Sequence, residues 1–385
     1  MKYIGMLLHA YQPSWQFKET LKKIVEECYF PIFNFLLKEE KACFTVNINY
    51  ALLELLESHG YKELLTKIER CIDQGKIDLT GSGAYHPILP LIPQKEAERQ
   101  ILLNEKGVER ILGKFLRNGF FPPEMAFEKK IVKIIKRNDY RWTITEDVPF
   151  GLKHGYVPFD FIPAVEGLPV FLRSSLWSKK IALEQGPGGR RFAAAEIVEW
   201  LNYDLGRWFG GKDGYLIIAM DMETFGHHIR EYNHFLKEFL EAVEKKREMR
   251  MVFISELLQH FPIREIEVPA GSWSTEPNDI WQSNPYPLWK CKWNEAHKFL
   301  WKLVNLALES LKEENEETRA LMDRGLNSCQ FWWLARGNWN PPIAFQTIPM
   351  LVRIISQDKP ENLEEARKIL AALEKITNTK ISGLK

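Results

Sequence analysis

The sequence predicts an α/β protein, a distorted seven-fold (β/α) barrel followed by a C-terminal helical domain. Two observations predict this fold. Eight short apolar runs recur through the first two thirds of the 385 residues, each typical of a strand buried on both faces. Helix-like stretches, with apolar residues three and four positions apart, lie between most of these runs. Because alternating strands and helices build a parallel sheet, seven or eight such units predict a closed barrel.

The predicted elements can be assigned along the chain. The strand-like runs are residues 3–8, 43–48, 77–79, 119–121, 142–145, 168–172, 215–220 and 251–254. The helix-like stretches among them are residues 20–37, 50–74, 96–115, 127–138 and 232–246.

The pattern changes after about residue 262. Residues 265–292 are rich in Pro, Trp, Ser and Asn, which predicts a long ordered loop, a type of element that is often functional. Four further stretches have helical spacing: 295–314, 316–333, 342–356 and 361–375. We therefore predict a barrel domain at 1–264 and a mostly helical domain at 265–385 that contributes to the cleft.

The net charge of the chain is close to zero, with 52 Lys and Arg against 51 Asp and Glu. This balance gives no basic surface for nucleic acid or anionic lipid, and it suits a neutral substrate. The 13 Trp are a heavy load. Their rings can stack on the flat apolar faces of sugars, although most Trp belong to protein cores.

Five scattered Cys without CxxC spacing are typical of reduced thiols in a cytosolic protein. The first residues, MKYIGMLLHAYQP, offer too few apolar side chains for a signal peptide. No later stretch approaches the roughly 20 apolar residues of a membrane span. We therefore expect a soluble, cytoplasmic protein that binds neither nucleic acid nor membrane.

Unusual polar residues cluster where the predicted strands end. In a β/α barrel the loops after the strands form the face that carries the cleft. These residues are His9 and Gln12 after the first strand, Asp78 and His86 on and after the third, Glu124 after the fourth, Glu146 and Asp147 after the fifth, and Asp221 and Glu223 after the seventh. A carboxylate after a strand is often only a helix cap, and for Glu146 and Asp147 that interpretation is equally open.

Two of these carboxylates have the context of catalytic groups. Glu124 directly follows Pro122 and Pro123, which stiffen the backbone and fix where its side chain points. Asp221 follows six nearly all-apolar residues at the rim of a buried sheet, a position that suits a general acid. Glycoside cleavage needs such a pair, one carboxylate to attack the anomeric carbon and one to protonate the leaving oxygen.

Other chemistries fit the spacing less well. His9, His86, His227 and His228 could act as ligands in a zinc or iron hydrolase such as a sugar deacetylase, but the usual HxH or HxxxH pair is missing. A Ser or Cys nucleophile has less support, because the sequence has no GxSxG elbow. We expect neither a metal ion nor another cofactor.

Five segments resemble, in order, the signature segments of glycoside hydrolase family 57. They are HAYQP at 9–13, GKIDLTGSGAYHPILPL at 75–91, GFFPPEMAF at 119–127, MDMETFGHH at 220–228 and NSCQFWWLA at 327–335. The resemblance implies a seven-fold barrel with a helical domain. It also implies a retaining glycoside hydrolase or transglycosylase, amylase-like, acting on α-1,4-linked glucan.

The resemblance places the nucleophile on Glu124 and the general acid/base on Asp221. We expect the carboxyl groups of Glu124 and Asp221 to lie roughly 5 to 7 Å apart, with retention of configuration. The candidate substrate-binding residues are His9, Gln12, Asp78, His86, Glu223, Trp273, Trp332 and Trp333. Because the three Trp belong to the helical half, we expect the cleft to lie between the two halves, with one of Trp332 and Trp333 at its border.

The chain departs from the family pattern at two places. Asp78 stands where members usually show Glu, and Cys329 or Gln330 replaces an acidic residue of the fifth segment. The family includes α-amylases, 4-α-glucanotransferases, branching enzymes and α-galactosidases. An α-galactosidase with the same mechanism and a non-catalytic glucan-binding homologue therefore stay open as alternatives.

Overall fold

The computed structural model describes residues 1–185 and 189–381, and its sheet confirms the predicted barrel. Seven parallel strands follow one another around a nearly closed ring in the order β1-β2-β3-β4-β5-β7-β8, and β8 returns to pair with β1 over eight residues. The strands in this part of the chain are β1 Lys2–Ala10, β2 Phe44–Ile48, β3 Ile77–Thr80, β4 Gly119–Phe120, β5 Trp142–Glu146, β6 Ile162–Val165, β7 Leu168–Arg173, β8 Gly214–Asp221, β9 Met249–Val252 and β10 Ile263–Glu265.

Each predicted apolar run became a strand, and two strands were not predicted. Those two, β6 and β10, pair with each other on the flank of β7, with β6 antiparallel to it. All three residues of β10 are exposed, so the strand lacks the apolar composition by which the others were found. The last apolar run forms β9, which pairs with the first residues of β1.

Helices surround the barrel and make up most of the chain after it. They are α1 Lys18–Ile24, α2 Phe30–Lys38, α3 Tyr50–Ser58, α4 Lys62–Asp73, α5 Gln94–Leu112, α6 Lys129–Arg137, α7 Asp147–His154, α8 Ser175–Ala182, α9 Ala194–Phe209, α10 Phe235–Glu244, α11 Leu257–His260, α12 Pro277–Trp281, α13 Glu295–Ser310, α14 Glu316–Gly325, α15 Cys329–Trp332, α16 Pro341–Ala344, α17 Ile348–Asp358 and α18 Leu363–Thr377. No described helix is both long enough and apolar enough to cross a membrane.

Local sequence explains where several helices begin. The side chains of Asn49, Asn294 and Asn315 cap α3, α13 and α14 by accepting a hydrogen bond from the backbone N–H three residues later. The stretch 50–74, predicted as one helix, divides into α3 and α4. Gly60 lies between them with a φ of 80°, a left-handed conformation that ends a helix readily.

The helical half and the barrel share a continuous core. Apolar side chains of α13, α14, α17 and α18 belong to the same buried cluster as those of α5 and α6. A buried ion pair between Arg319 of α14 and Glu96 of α5 adds a charged contact across the join, with Nη1 3.1 Å from Oε1. The helical half therefore supports the barrel wall beside β4, which is the strand that leads to Glu124.

The ring closes at a narrow contact between β3 and β4. The N–H of Gly81 donates to the Gly119 carbonyl at 2.8 Å, and the N–H of Phe121 donates to the Gly81 carbonyl at 2.9 Å. A Cβ atom added at Gly81 would overlap the ring of Tyr140. This closure therefore depends on a residue without a side chain.

We predict that Gly81→Ala destabilises the fold by about 1 to 3 kcal/mol, because the methyl group has no space beside the Tyr140 ring. Chemical denaturation followed by circular dichroism measures this change. Gly206→Ala, inside α9, is the matched control and should be neutral or stabilise by about 0.5 to 1 kcal/mol. Equal stability of the two variants would contradict the steric account of the closure.

Candidate active site

Glu124 lies at the mouth of the barrel, directly after β4. Pro122 is extended, and Glu124 itself adopts a left-handed backbone with φ 60° and ψ 17°. This conformation costs a non-glycine residue on the order of 1 to 3 kcal/mol and persists where surrounding contacts determine it. One such contact comes from the loop after the barrel, where the N–H of Trp273 donates to the Glu124 carbonyl at 3.2 Å.

The Glu124 carboxylate is held by two donors from the helical half. Trp273 Nε1 donates to Oε2 at 2.7 Å, and Ser328 Oγ donates to Oε1 at 2.8 Å. The pKa of Glu124 is raised to about 7, chiefly by burial, and the charge of Asp221 also raises it. The hydrogen bonds from Trp273 and Ser328 lower it, because they favour the ionised form.

A chain of hydrogen bonds leads from this carboxylate into the barrel. Ser328 Oγ lies 2.9 Å from His86 Nδ1, and His86 Nε2 lies 3.1 Å from His9 Nε2. His9 Nδ1 lies in turn 2.8 Å from Asn47 Oδ1. Burial lowers the pKa of both His9 and His86, because it disfavours the charged form of each ring.

Asp221 reaches the same mouth from another strand. It is the last residue of β8, it is paired in register with His9, and it is exposed. Glu124, Asp221 and His9 all line one cavity of about 480 Å³, together with Phe121 and Trp273. Two carboxylates from different strands thus face a single partly apolar space.

Glu223 follows Asp221 on the same turn but points away from this cavity into buried contacts. Its Oε1 accepts hydrogen bonds from the Tyr29 hydroxyl, from Gln12 Nε2 at 3.0 Å and from the Tyr11 N–H at 3.3 Å. Burial, followed by the charge of Asp221, raises its pKa to about 7. Glu223 therefore holds the loop after β1 against the loop after β8.

Comparison with known proteins assigns the chain to a family. A model of glycosyl hydrolase family 57 matches residues 5–269, well over half of the sequence. The chain belongs to glycosyl hydrolase family 57.

Several curated relatives match part of the chain. Alpha-amylase 1 of Dictyoglomus thermophilum is 29% identical over 156 residues, which are 39% of this chain and 22% of that protein. The 4-alpha-glucanotransferase of Thermococcus litoralis is 26% identical over 147 residues, 37% of this chain and 21% of that protein. The matched segment thus spans about a fifth of these relatives' length.

Solved structures match over nearly the whole chain. An exo-type maltose-forming amylase from Pyrococcus sp. ST04 has a TM-score of 0.74 at 12% identity, covering 96% of this chain and 82% of that one. A GH57-type branching enzyme from Pyrococcus horikoshii has a TM-score of 0.69 at 18% identity, covering 98% and 94%. At these identities the likeness shows the family 57 fold.

Several residues expected to bind substrate lie away from the cavity in this family 57 chain. Asp78 lies inside the barrel, paired in register with Thr45 and so two residues below the level of Asn47. Its carboxylate accepts from Asn118 Nδ2 at 2.9 Å and from the Ser255 hydroxyl. The expected contact between Asp78 and substrate is not supported by this position.

The paired tryptophans also lie off the cavity. Trp332 and Trp333 contact each other edge to face, 4.5 Å between ring centroids, and pack partly buried against the core of the helical half. Among the described residues, the cavity wall includes neither ring. Trp273 is the tryptophan of the helical half that lines it, so a stacking role for Trp332 or Trp333 stays a prediction.

The departures in the fifth segment affect the site unequally. Gln330 is fully buried and donates to two backbone carbonyls, at 2.7 and 3.0 Å, so its side chain serves the loop itself. Cys329 Sγ lies 3.5 Å from the Tyr11 hydroxyl, and that phenol ring stacks on His86. Of the two, Cys329 is thus the residue next to the site.

The carboxylates after β5 have separate partners. Glu146 Oε2 forms a buried ion pair with Arg173 Nη1 at 2.8 Å, and Arg173 also lines the cavity. Asp147 accepts from the Ser175 N–H at 3.1 Å, and burial raises its pKa to about 7. Asp147 is absent from the described wall of the cavity.

Sequence reasoning missed several residues that complete the site. Ser328 lies within the fifth segment, in which only the neighbouring aromatic residues were predicted to bind substrate. Asn47 could have been found, because it is a polar residue inside an apolar strand. Tyr29 has no such signal, because it lies in the middle of a predicted helix. Within residues 1–185 and 189–381, no three His, Cys, Asp or Glu side chains are grouped to hold a metal ion.

We predict that Ser328→Ala moves the acid limb of the kcat/KM profile to higher pH. Ser328 stabilises the ionised form of Glu124, whose pKa is about 7, so its loss raises that pKa further. If Glu124 must be ionised to attack, kcat/KM rises with pH through this pKa. The measurement is kcat/KM on a maltooligosaccharide between pH 5 and 9.

The control for this prediction is Ser310→Ala, which removes a buried hydroxyl from α13. Ser310 is not among the described residues that line the cavity. Its profile should match that of the parent. A shift confined to the alkaline limb in Ser328→Ala would assign the raised pKa to a group that must be protonated, contrary to the prediction.

Proposed function

We propose that the protein is a retaining glycoside hydrolase or transglycosylase that acts on α-1,4-linked glucan. The observation that carries this proposal is the pair Glu124 and Asp221, two carboxylates from different strands that line one cavity. The proposal is also supported by the relatives, which include α-amylases, a 4-α-glucanotransferase and a branching enzyme.

In the first step the Glu124 carboxylate attacks the anomeric carbon. The bond from that carbon to the leaving oxygen breaks, and Asp221 donates a proton to this oxygen, so that one sugar chain leaves with a free hydroxyl. The other chain stays on Glu124 as a glycosyl ester. In the second step Asp221 accepts a proton from water or from an acceptor sugar hydroxyl, which attacks the same carbon and releases Glu124.

The environments of the two carboxyls support different roles. Glu124 is mostly buried, with 15% of its side chain exposed, and it accepts hydrogen bonds from Trp273 and Ser328. Its position is therefore fixed, as attack at one carbon requires. Asp221 is exposed at the end of β8, where protons can exchange with solvent between the steps. The raised pKa of Glu124 alone would also suit an acid, and its two carboxylate-directed donors favour the nucleophile role.

His9 and His86 border this pair. His9 lines the cavity and stacks on Phe121, with 4.6 Å between the ring centroids. Because its Nδ1 contacts Asn47 and its Nε2 contacts His86, a hydrogen bond from His9 to a sugar hydroxyl requires one of these two contacts to open. His86 contacts Ser328 and lies 3.5 Å from Glu124 Oε1, so it positions the nucleophile.

Azide rescue of two variants tests these roles directly. Glu124→Ala and Asp221→Ala should each lose at least about 1,000-fold in kcat on maltoheptaose. With azide present, Glu124→Ala should yield a β-glycosyl azide, because azide replaces the nucleophile. Asp221→Ala should yield the α-glycosyl azide, because azide then attacks the glycosyl ester. NMR of the products distinguishes the two anomers.

Asp147→Asn is the matched control, since Asp147 is also a partly buried carboxyl after a strand, with a pKa raised to about 7. Its kcat should stay close to that of the parent. Cleavage of an α-galactoside in preference to maltoheptaose would replace glucan as the substrate. Exchange of the two azide products would reverse the roles of Glu124 and Asp221.

A further inference from the structure

A second cavity, larger than the one beside Glu124, lies in the helical half. Its volume is about 860 Å³, and its wall comes from the loop after the barrel, from the start of α13, and from the segment after α15. The two cavities share none of their described lining residues. The proposed catalysis uses no residue of this second cavity.

Two solvent-exposed tryptophans line this cavity. Trp293 is 60% exposed and Trp339 is 50% exposed, and both line the cavity. A tryptophan ring is among the largest apolar surfaces in a protein, and leaving it in water forgoes the stabilisation of burial. Open rings beside a concavity are therefore typical of a binding site for a ligand with a flat apolar face.

Three polar side chains in the wall of the same cavity can form further hydrogen bonds. Asn278, Gln282 and Arg336 line the cavity, and their side chains make no hydrogen bond with any other residue in the described part of the chain. Amide and guanidinium groups can bond hydroxyl groups as donors, and amides can also accept. A sugar ring matches this combination, because it carries hydroxyl groups around its edge and presents apolar faces above and below.

The described wall carries three charged side chains, Asp279, Glu295 and Arg336. Asp279 accepts the Glu276 N–H at 3.0 Å within its own turn, and Glu295 forms an ion pair with Lys298 at 2.6 Å. Arg336 is the remaining cation among the described lining residues. A neutral carbohydrate fits this wall better than a phosphate-rich or acidic ligand.

The position of the cavity links it to the proposed catalysis. Trp273 lines the cavity of Glu124, and the next residue, Ser274, lines the second cavity. Because consecutive Cα atoms lie 3.8 Å apart, the two cavities lie on either side of one short stretch of loop. A chain held in the second cavity stays within reach of the first.

We propose that this second cavity is a non-catalytic binding site for α-glucan chains, with Trp293 and Trp339 as its stacking surfaces. The assignment to α-glucan rests on the proposed function, whereas the assignment to carbohydrate rests on the wall itself. The site retains a polysaccharide on the protein while one of its chains enters the cavity beside Glu124.

Affinity electrophoresis in native gels that contain amylopectin tests the site. All proteins carry Glu124→Gln, so that the polysaccharide stays intact. The double variant Trp293→Ala/Trp339→Ala should bind amylopectin about tenfold more weakly than its parent, because both stacking surfaces are lost. Trp208→Ala is the matched control, since Trp208 is 42% exposed on the barrel helix α9, and its mobility should match the parent.

Kinetics in the background with Glu124 intact complete the test. The double variant should keep the parent's kcat/KM on maltotriose within about twofold and show a raised KM on amylopectin. Equal mobility of parent and double variant would overturn the proposal. A comparable loss on maltotriose would also overturn it, because the tryptophans would then belong to the catalytic cleft.

Parallel gels with xylan and galactomannan separate this proposal from the proposed function. Tryptophan-dependent retardation by one of these polysaccharides and not by amylopectin would overturn the α-glucan assignment. If no polysaccharide retards the Glu124→Gln parent, while the protein with Glu124 intact cleaves maltoheptaose, the second site alone is overturned. Loss of both results would remove the proposed function as well.

Discussion

The site depends on one constraint, the attachment of Glu124 to the helical half of the chain. Trp273 donates to Glu124 twice, from its backbone N–H to the carbonyl and from its indole to the carboxylate, and Ser328 binds the other carboxylate oxygen. These contacts offset the cost of a left-handed backbone at Glu124 and bury a carboxyl group that water would otherwise solvate. The barrel supplies Glu124, and the helical half determines where its carboxylate points.

The features that could be predicted from the sequence are local ones. Seven strands surround a core, so each had to be a short apolar run, and each such run was visible along the chain. Glu124 was visible for a related reason, since Pro122 and Pro123 restrict the backbone immediately before it. The end of β8 placed Asp221 at the mouth, because parallel strands deliver their last residues to the same edge.

The features that could not be predicted depend on contacts between distant segments. The donors to Glu124 lie 149 and 204 residues away from it, and spacing alone carries no sign of them. Asp78 points into the barrel, as a substrate-binding residue would. It lies two residues below the level of Asn47, however, and there its carboxylate binds Asn118 and Ser255 instead. Trp332 and Trp333 pack against the core of the helical half. Their orientation depends on the core that both halves share, which the local sequence does not reveal.

Covalent trapping is the most direct measurement of the central claim, that Glu124 attacks the sugar. Asp221→Asn protein, incubated with an activated fluorinated α-glucosyl fluoride that slows the second step, is digested and analysed by mass spectrometry. The account predicts one glycosyl group per chain, attached to the peptide with Glu124 and absent when Glu124 is replaced by Gln. A glycosyl group on another carboxylate such as Glu223, or turnover with inverted configuration and no adduct, would contradict it.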